Sequence, residues 1–424
     1  MRRRVPAAGV NLFQSIYRLL DDYRARSGRE PLDLSLGNPD GVPPPGIRRL
    51  KARFAQSPRR EYHTYAEDKN LLGFAQAMVK LHSGVSASDY PLLKAVPIAG
   101  IKTATALIPL ACGAHAARKE GRVFRFASNL PSYDVIGAWG EGYLGCDRAV
   151  WPLLSNNGMR PNLSDLKTAL KKSGRPSLDL IFLIRPGNPA SVSASRAEWL
   201  EIISYCVKNR IRLVNDAAYC GLSGANHVPL ARVAKDFPDL EWMELYSASK
   251  SFSDPGARLG ALVGSKGFVE DYLVIKGNSD SGPAPAIMAA YGRFLERGTA
   301  AQDALLKLRG LYRRRVDYLR ERLSAAGLKP ACIPDAGFFT LWKVPRRALG
   351  QGVIESARKN KTGPAEAFNR IVIAKTGIAG VHFDAPPNSA DSEPFIRYAA
   401  CADVLSSAFR IPFERALSEI KPAY

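Results

Sequence analysis

The sequence predicts an α/β protein: a mostly parallel sheet covered by helices on both faces, with a smaller α+β domain after it. Three observations carry this. Between residues 123 and 246, apolar runs at 123–127, 149–152, 178–184, 211–214 and 242–246 alternate with helical spacing at 133–141, 163–172 and 197–208. Apolar strands separated by helices form parallel sheets buried on both faces. At 424 residues the chain exceeds what one small core organises and divides most naturally into two or three domains. Beyond a long helical stretch at 286–325 the pattern becomes mixed, with 336–343, 377–383 and 395–400 extended and 367–374 and 402–421 helical. The expected division is an N-terminal arm at 1–50 contributing to the small domain, a large domain at 51–295 and a small domain at 296–424.

The arm carries an amphipathic pattern over 10–27 that Gly28 stops, a strand-like alternation at 32–36, and the turn Gly37-Asn38-Pro39-Asp40-Gly41. Hydrophobic residues make up 46% of the chain, as in a globular protein, and no apolar run reaches the length of a membrane span. The basic start lacks the apolar stretch of a secretory signal, so a cytoplasmic protein is expected. Six cysteines without CxxC spacing read as reduced thiols, not as a disulfide or zinc framework. The net charge of +21 would suit polyanions or acidic small molecules. Yet the clusters at Arg48-Arg49-Leu50-Lys51-Ala52-Arg53, Arg59-Arg60 and Arg313-Arg314-Arg315 lie in helically spaced segments, where solvated faces account for them. No nucleic-acid motif accompanies them.

In open α/β sheets, ligands gather beyond the carboxyl ends of the strands. Three polar residues of complementary chemistry stand there: Asn188, Asp216 and Lys250. Lys250 sits in Tyr246-Ser247-Ala248-Ser249-Lys250, and Arg258 follows eight places on. A lysine amine freed by a site of low polarity forms imines with carbonyls, while an arginine fork and serine hydroxyls suit phosphate. The pair suggests a phosphorylated aldehyde, pyridoxal phosphate; in isolation the segment also reads as a Ser-rich turn. Gly100-Ile101-Lys102 precedes a helix at 104–112 and offers free helix-start amides to an anion. Tyr65 precedes a helix beginning near Leu71 and by itself reads as a core aromatic.

Taken in order, these residues resemble the fold-type I pyridoxal phosphate enzymes, specifically the class I/II aminotransferases, over about residues 30–420. The look is that of the alanine/aspartate and LL-diaminopimelate aminotransferase branch. The resemblance implies a seven-stranded sheet in the large domain and a set of roles. Lys250 would be the Schiff-base lysine and proton shuttle, and Ser247 and Arg258 would hold the phosphate with Gly100, Ile101 and Lys102. Asp216 would face the pyridine nitrogen, and Tyr219 and Asn188 the phenolic oxygen. Tyr133, in Leu130-Pro131-Ser132-Tyr133, would stack on the ring. Arg397 would grip the substrate α-carboxylate, with Asn188 and Gly37 beside it. Tyr65 would reach the phosphate of a neighbouring subunit, implying a homodimer. The implied activity is ping-pong transfer of an amino group between an α-amino acid and a 2-oxo acid, without a metal.

Departures from that pattern fall where loops shape the substrate space. Asn188-Pro189-Ala190-Ser191 stands for Asn-Pro-Thr-Gly, Asn70 for a glycine, and residues 386–391 for a Gly-rich loop. The polar stretch 384–393 is expected to be the most mobile segment. Lyase, decarboxylase or condensing chemistry on the same fold stands as the alternative, and nucleic-acid binding is not expected.

Overall fold

The computed structural model describes residues 12–67, 69–174, 177–296, 298–385 and 393–424. After a first helix, Leu12–Ser27, a two-residue strand β1 (Leu32–Asp33) leads towards the large unit. Its sheet consists of β2 (Leu93–Ile98), β3 (Arg125–Leu130), β4 (Asp147–Pro152), β5 (Leu180–Ile184), β6 (Arg212–Asp216), β7 (Trp242–Ser247) and β8 (Gly260–Ser265), ordered β2-β8-β7-β6-β5-β3-β4. β8 runs antiparallel to both neighbours, and the other pairings are parallel. β3 to β7 are the expected strands; β2 and β8 lie outside the expected alternation. Pro97 interrupts β2, which an edge strand tolerates. β8 is glycine-rich because a Cβ at Gly260 or Gly264 would collide with the carbonyls of Tyr246 and Trp242.

Side chains alternate across this sheet. Leu180, Phe182 and Ile184 pack with Phe126, Val214 and Leu245 under the helix Ile101–Ala111. Ile181 and Leu183 pack on the opposite face with Trp151, Leu213 and Trp199. Each buried side chain of this kind contributes about 1.5–3 kcal/mol, and a one-residue slip would exchange the faces, so burial fixes the register.

One position breaks the apolar rule. Glu244 is fully buried and accepts from Asn215 Nδ2 (2.8 Å), the Leu230 and Ala231 amides (3.0 and 2.7 Å) and the Tyr246 hydroxyl (2.6 Å). Burial raises its pKa, and those four donors oppose the rise. Glu244→Ala is expected to cost about 3–5 kcal/mol in a denaturant titration, because four buried donors lose their acceptor together. A loss below about 1 kcal/mol would mean that water takes its place.

The smaller unit contains β9 (Phe339–Lys343), the hairpin strands β10 (Arg347–Ala348) and β11 (Gln351–Gly352), β12 (Ile378–Ala379), β13 (Val381–Phe383) and β14 (Phe395–Ala399). β13, β14 and β9 form an antiparallel sheet, and β12 pairs in parallel with β1. The helices Pro285–Glu296 and Thr299–Ala325 precede it.

Several expectations are corrected. The stretch 32–36 is extended only through Leu34, whose amide donates to the Ala379 carbonyl (3.0 Å) and whose carbonyl accepts from the Ala399 amide (2.7 Å); there Asp33 Oδ1 accepts from both the amide and the hydroxyl of Ser35 and turns the chain. The helix expected at 133–141 is one α turn, Val135–Gly137, followed by a π-helical turn, Ala138–Tyr143. There Gly140 lies so close to Phe126 that a Cβ would stand 2.7 Å from its ring. The closing helix is shorter than expected, Ser407–Ser418. The basic clusters are only partly solvated. Lys51 lies on the inward stripe between Ile47 and Phe54, and Arg315 is 3% exposed, paired with Asp40 (2.9 Å) and Asp403 (3.0 Å). All six cysteines are unpaired thiols, five of them buried. The departure at 386–391 lies outside the described residues, as does most of the stretch 384–393. No described helix is long and apolar enough to cross a membrane.

Candidate active site

A cavity of about 580 Å³ opens at the carboxyl ends of β5, β6 and β7, a size usual for small-molecule sites. Gly37, Ile101, Lys102, Tyr133, Asn188, Asp216, Tyr219, Ser247, Lys250, Arg258 and Arg397 all line it. Gly100 adjoins it: a Cβ there would stand 2.6 Å from the Arg258 guanidinium. Tyr65 is 73% exposed and does not line the cavity of its own chain.

Lys250 follows directly from the end of β7. The Ser247 hydroxyl accepts from the Ser249 amide and starts a single turn, Ala248–Ser251, that aims Lys250 into the cavity. Its Nζ donates to the Gly37 carbonyl at 2.7 Å. Burial lowers its pKa to about 8; Arg397 and Arg258 act in the same direction, Cys401 and Asp216 against it.

Asp216 closes β6, and its Oδ1 accepts from the Ala218 amide at 2.9 Å. Burial raises its pKa to about 6, against the pull of that amide and of Lys250. Among the described residues it forms no ion pair, so a cation in the cavity would find a buried acid without one.

Arg397 rises from β14 and is 3% exposed. Its Nη1 donates to Asn188 Oδ1 at 2.8 Å and its Nη2 to the Ser35 carbonyl, while its buried Nε has no partner among the described residues. Burial lowers its pKa to about 10, which leaves it charged at neutral pH. The guanidinium lies 4.2 Å from the centre of the Phe339 ring. That ring also explains Gly37, where a Cβ would come within 2.9 Å of it. Tyr219 meets Phe338 and Phe339 edge-on, and burial pushes its hydroxyl pKa up, keeping it a proton donor.

The anion end is built by backbone. Gly100 has φ 92° and precedes the helix Ile101–Ala111, whose first amides have no side-chain cap. Lys102 Nζ lies 5.8 Å from the centre of the Tyr133 ring. Sequence reasoning did not single out Phe13, Tyr17, Leu36, Thr105 and Ser249, which also line the cavity. The available signal was helical spacing: Phe13 and Tyr17 lie one turn apart beside the buried Ile16 and Leu20.

This donor set fits pyridoxal phosphate. A buried acid lacks a cation, a lysine amine is held near neutrality, and an arginine with free helix-start amides meets a glycine cradle that a methyl group would fill. Fold and site together define a fold-type I, pyridoxal phosphate-dependent enzyme. The chain belongs to the aminotransferase class I and II family, matching it over residues 29–402. It is similar to the LL-diaminopimelate aminotransferase of Nitratidesulfovibrio vulgaris, with 27% identity over 357 residues, 83% of this chain and 86% of that one. It is also similar to the LL-diaminopimelate aminotransferase of Methanocaldococcus jannaschii, with 28% identity over 375 residues, 88% and 81% of the two chains. Among solved structures, the probable N-succinyldiaminopimelate aminotransferase from Thermus thermophilus matches with TM-score 0.75 and 18% identity, over 97% of this chain and 99% of that one. Substrate-bound BacF from Bacillus subtilis matches with TM-score 0.76 and 16% identity, over 100% and 99%. At such identities the structural likenesses speak for the fold.

Proposed function

We propose that this aminotransferase takes an α-amino acid whose free carboxylate is held by Arg397, and that Lys250 both bonds the cofactor and moves the proton at the substrate Cα. The observation that carries this is the opening of Lys250, Asp216 and Arg397 into one cavity. When bound, pyridoxal phosphate supplies an electron sink for the substrate Cα. Asp216 would sit against its pyridine nitrogen, Tyr219 and Asn188 against its phenolic oxygen, and Tyr133 against its ring. Ser247, Arg258 and the residues Gly100, Ile101 and Lys102 would hold its phosphate. The lowered pKa of Lys250 makes its amine available as a base close to neutral pH.

The relatives' names direct the first donor to try, LL-diaminopimelate. Tyr65, exposed and outside its own cavity, suits a homodimer in which it reaches the neighbouring site. Unpaired thiols suit a reducing, cytoplasmic compartment. The division into an arm at 1–50, a large domain at 51–295 and a small domain at 296–424 is part of the same reading. The test is a panel of amino donors, LL-diaminopimelate among them, added to yellow cofactor-loaded protein. A true donor bleaches the colour, and a 2-oxo acid restores it. Release of ammonia or CO2 without bleaching would favour lyase or decarboxylase chemistry instead.

A further inference from the structure

The structure assigns a positioning role to the trio Lys51, Asp254 and Tyr291, which ties the segment between Lys250 and Arg258 to two helices; the assignment rests on the cofactor reading above. Asp254 is 7% exposed. Its Oδ2 accepts from Lys51 Nζ at 2.6 Å and from the Tyr291 hydroxyl at 2.8 Å. Lys51 belongs to the helix Pro45–Ala55 and Tyr291 to the helix Pro285–Glu296. An aspartate before a short turn ordinarily caps it. Here Asp254 precedes the turn Pro255–Ala257 without capping it, and its carboxylate is spent on the two helices.

The segment needs holding from outside. Ser253 and Arg258 are non-glycine residues with φ 51° and 47°, a left-handed conformation that L side chains disfavour. Among the described residues, the other hydrogen bonds of 253–258 are local: Asp254 amide to Ser249 carbonyl (3.2 Å), Ala257 amide to Asp254 carbonyl (3.2 Å) and Arg258 Nη1 to Pro255 carbonyl (3.1 Å). None of them fixes where the segment stands relative to Gly100, against which the Arg258 guanidinium packs. A shift of about 1 Å there would misplace the phosphate clamp. Lys51 and Tyr291 supply that fix. Tyr291 is itself wedged edge-on between Phe74 and Phe252, so its hydroxyl has little freedom. A lysine at position 51, where helical spacing calls for an apolar residue, has the buried carboxylate as its reason.

The test titrates cofactor-free protein with pyridoxal phosphate and, separately, with inorganic phosphate. Lys51→Met and Asp254→Asn are each expected to weaken both about tenfold, the size of one lost charge-assisted hydrogen bond. The double variant should lose little more than either single one, because the two act through one contact. Lys51→Arg should restore most of the affinity. Should Asp254→Asn fail to fold, Tyr291→Phe removes a single hydrogen bond and is expected to weaken both about threefold. A merely structural trio would lower the thermal midpoint with both affinities within twofold of wild type, and that result overturns the proposal. Wild-type protein that binds phosphate but never takes up pyridoxal phosphate would sink the cofactor reading, and the phosphate titration would still decide the role of the trio.

Discussion

Lys250→Ala protein is expected to fold normally and to lose about four orders of magnitude in turnover, because on the proposed roles the variant would lack both the group that bonds the cofactor and the base. The structure adds a pH signature to this. Burial brings the amine to about 8 from its usual 10.5. Below that pH the amine is protonated and cannot attack a carbonyl. Uptake of pyridoxal phosphate by wild-type protein should therefore rise about tenfold per pH unit up to about 8, then level off. The sign for stability follows from the same shift. The unfolded chain holds this proton more tightly than the folded one, so the buried ammonium opposes folding below about pH 8, and the penalty fades as pH rises towards 10.5. The alanine variant should accordingly be no less stable than wild type at pH 7. A variant that keeps more than about 1% of turnover would mean that another residue carries the chemistry.

Asp216→Asn is expected to lower turnover about a thousandfold, since on the proposed role a preorganised charge that would face the cofactor ring is removed without change of shape. Cofactor-free protein should respond in the opposite sense. The folded pKa of Asp216 is raised to about 6, so its ionised form opposes folding above that pH, and the cost disappears below about pH 4. Asparagine removes the cost. The variant should be more stable than wild type at pH 7 by on the order of 1–3 kcal/mol, read by denaturant titration without cofactor. A functional acid stored at the expense of stability is the signature sought. A variant both active and no more stable would show that the acid is neither needed nor strained.

Much of the fold and of the candidate site is legible in the sequence. The strands from β3 to β7 show because parallel strands buried on two faces are continuous apolar runs, and Asn188, Asp216 and Lys250 stand just where such runs end. β2 and β8 do not show, since proline in one and glycines in the other erase the strand signal. The direction of a charge was also hidden. Lys51 and Arg315 sit in clusters that look solvated, and only their offsets from Ile47 and Phe54, or from Tyr312 and Leu319, reveal that they point inward. Phe13 and Tyr17 illustrate a different limit: an aromatic pair on a helix has the same spacing whether it faces a core or a cavity.

The reversed direction of β8 has a mechanical consequence. Had the chain continued into another parallel strand, it would have had to cross the length of the sheet and begin again at the opposite rim. Because β8 turns back beside β7, the connection at 248–259 starts and ends at a single rim and carries both Lys250 and Arg258 there. On the proposed roles, the covalent anchor and the grip on the anion are thus carried by one connection of the larger unit's sheet.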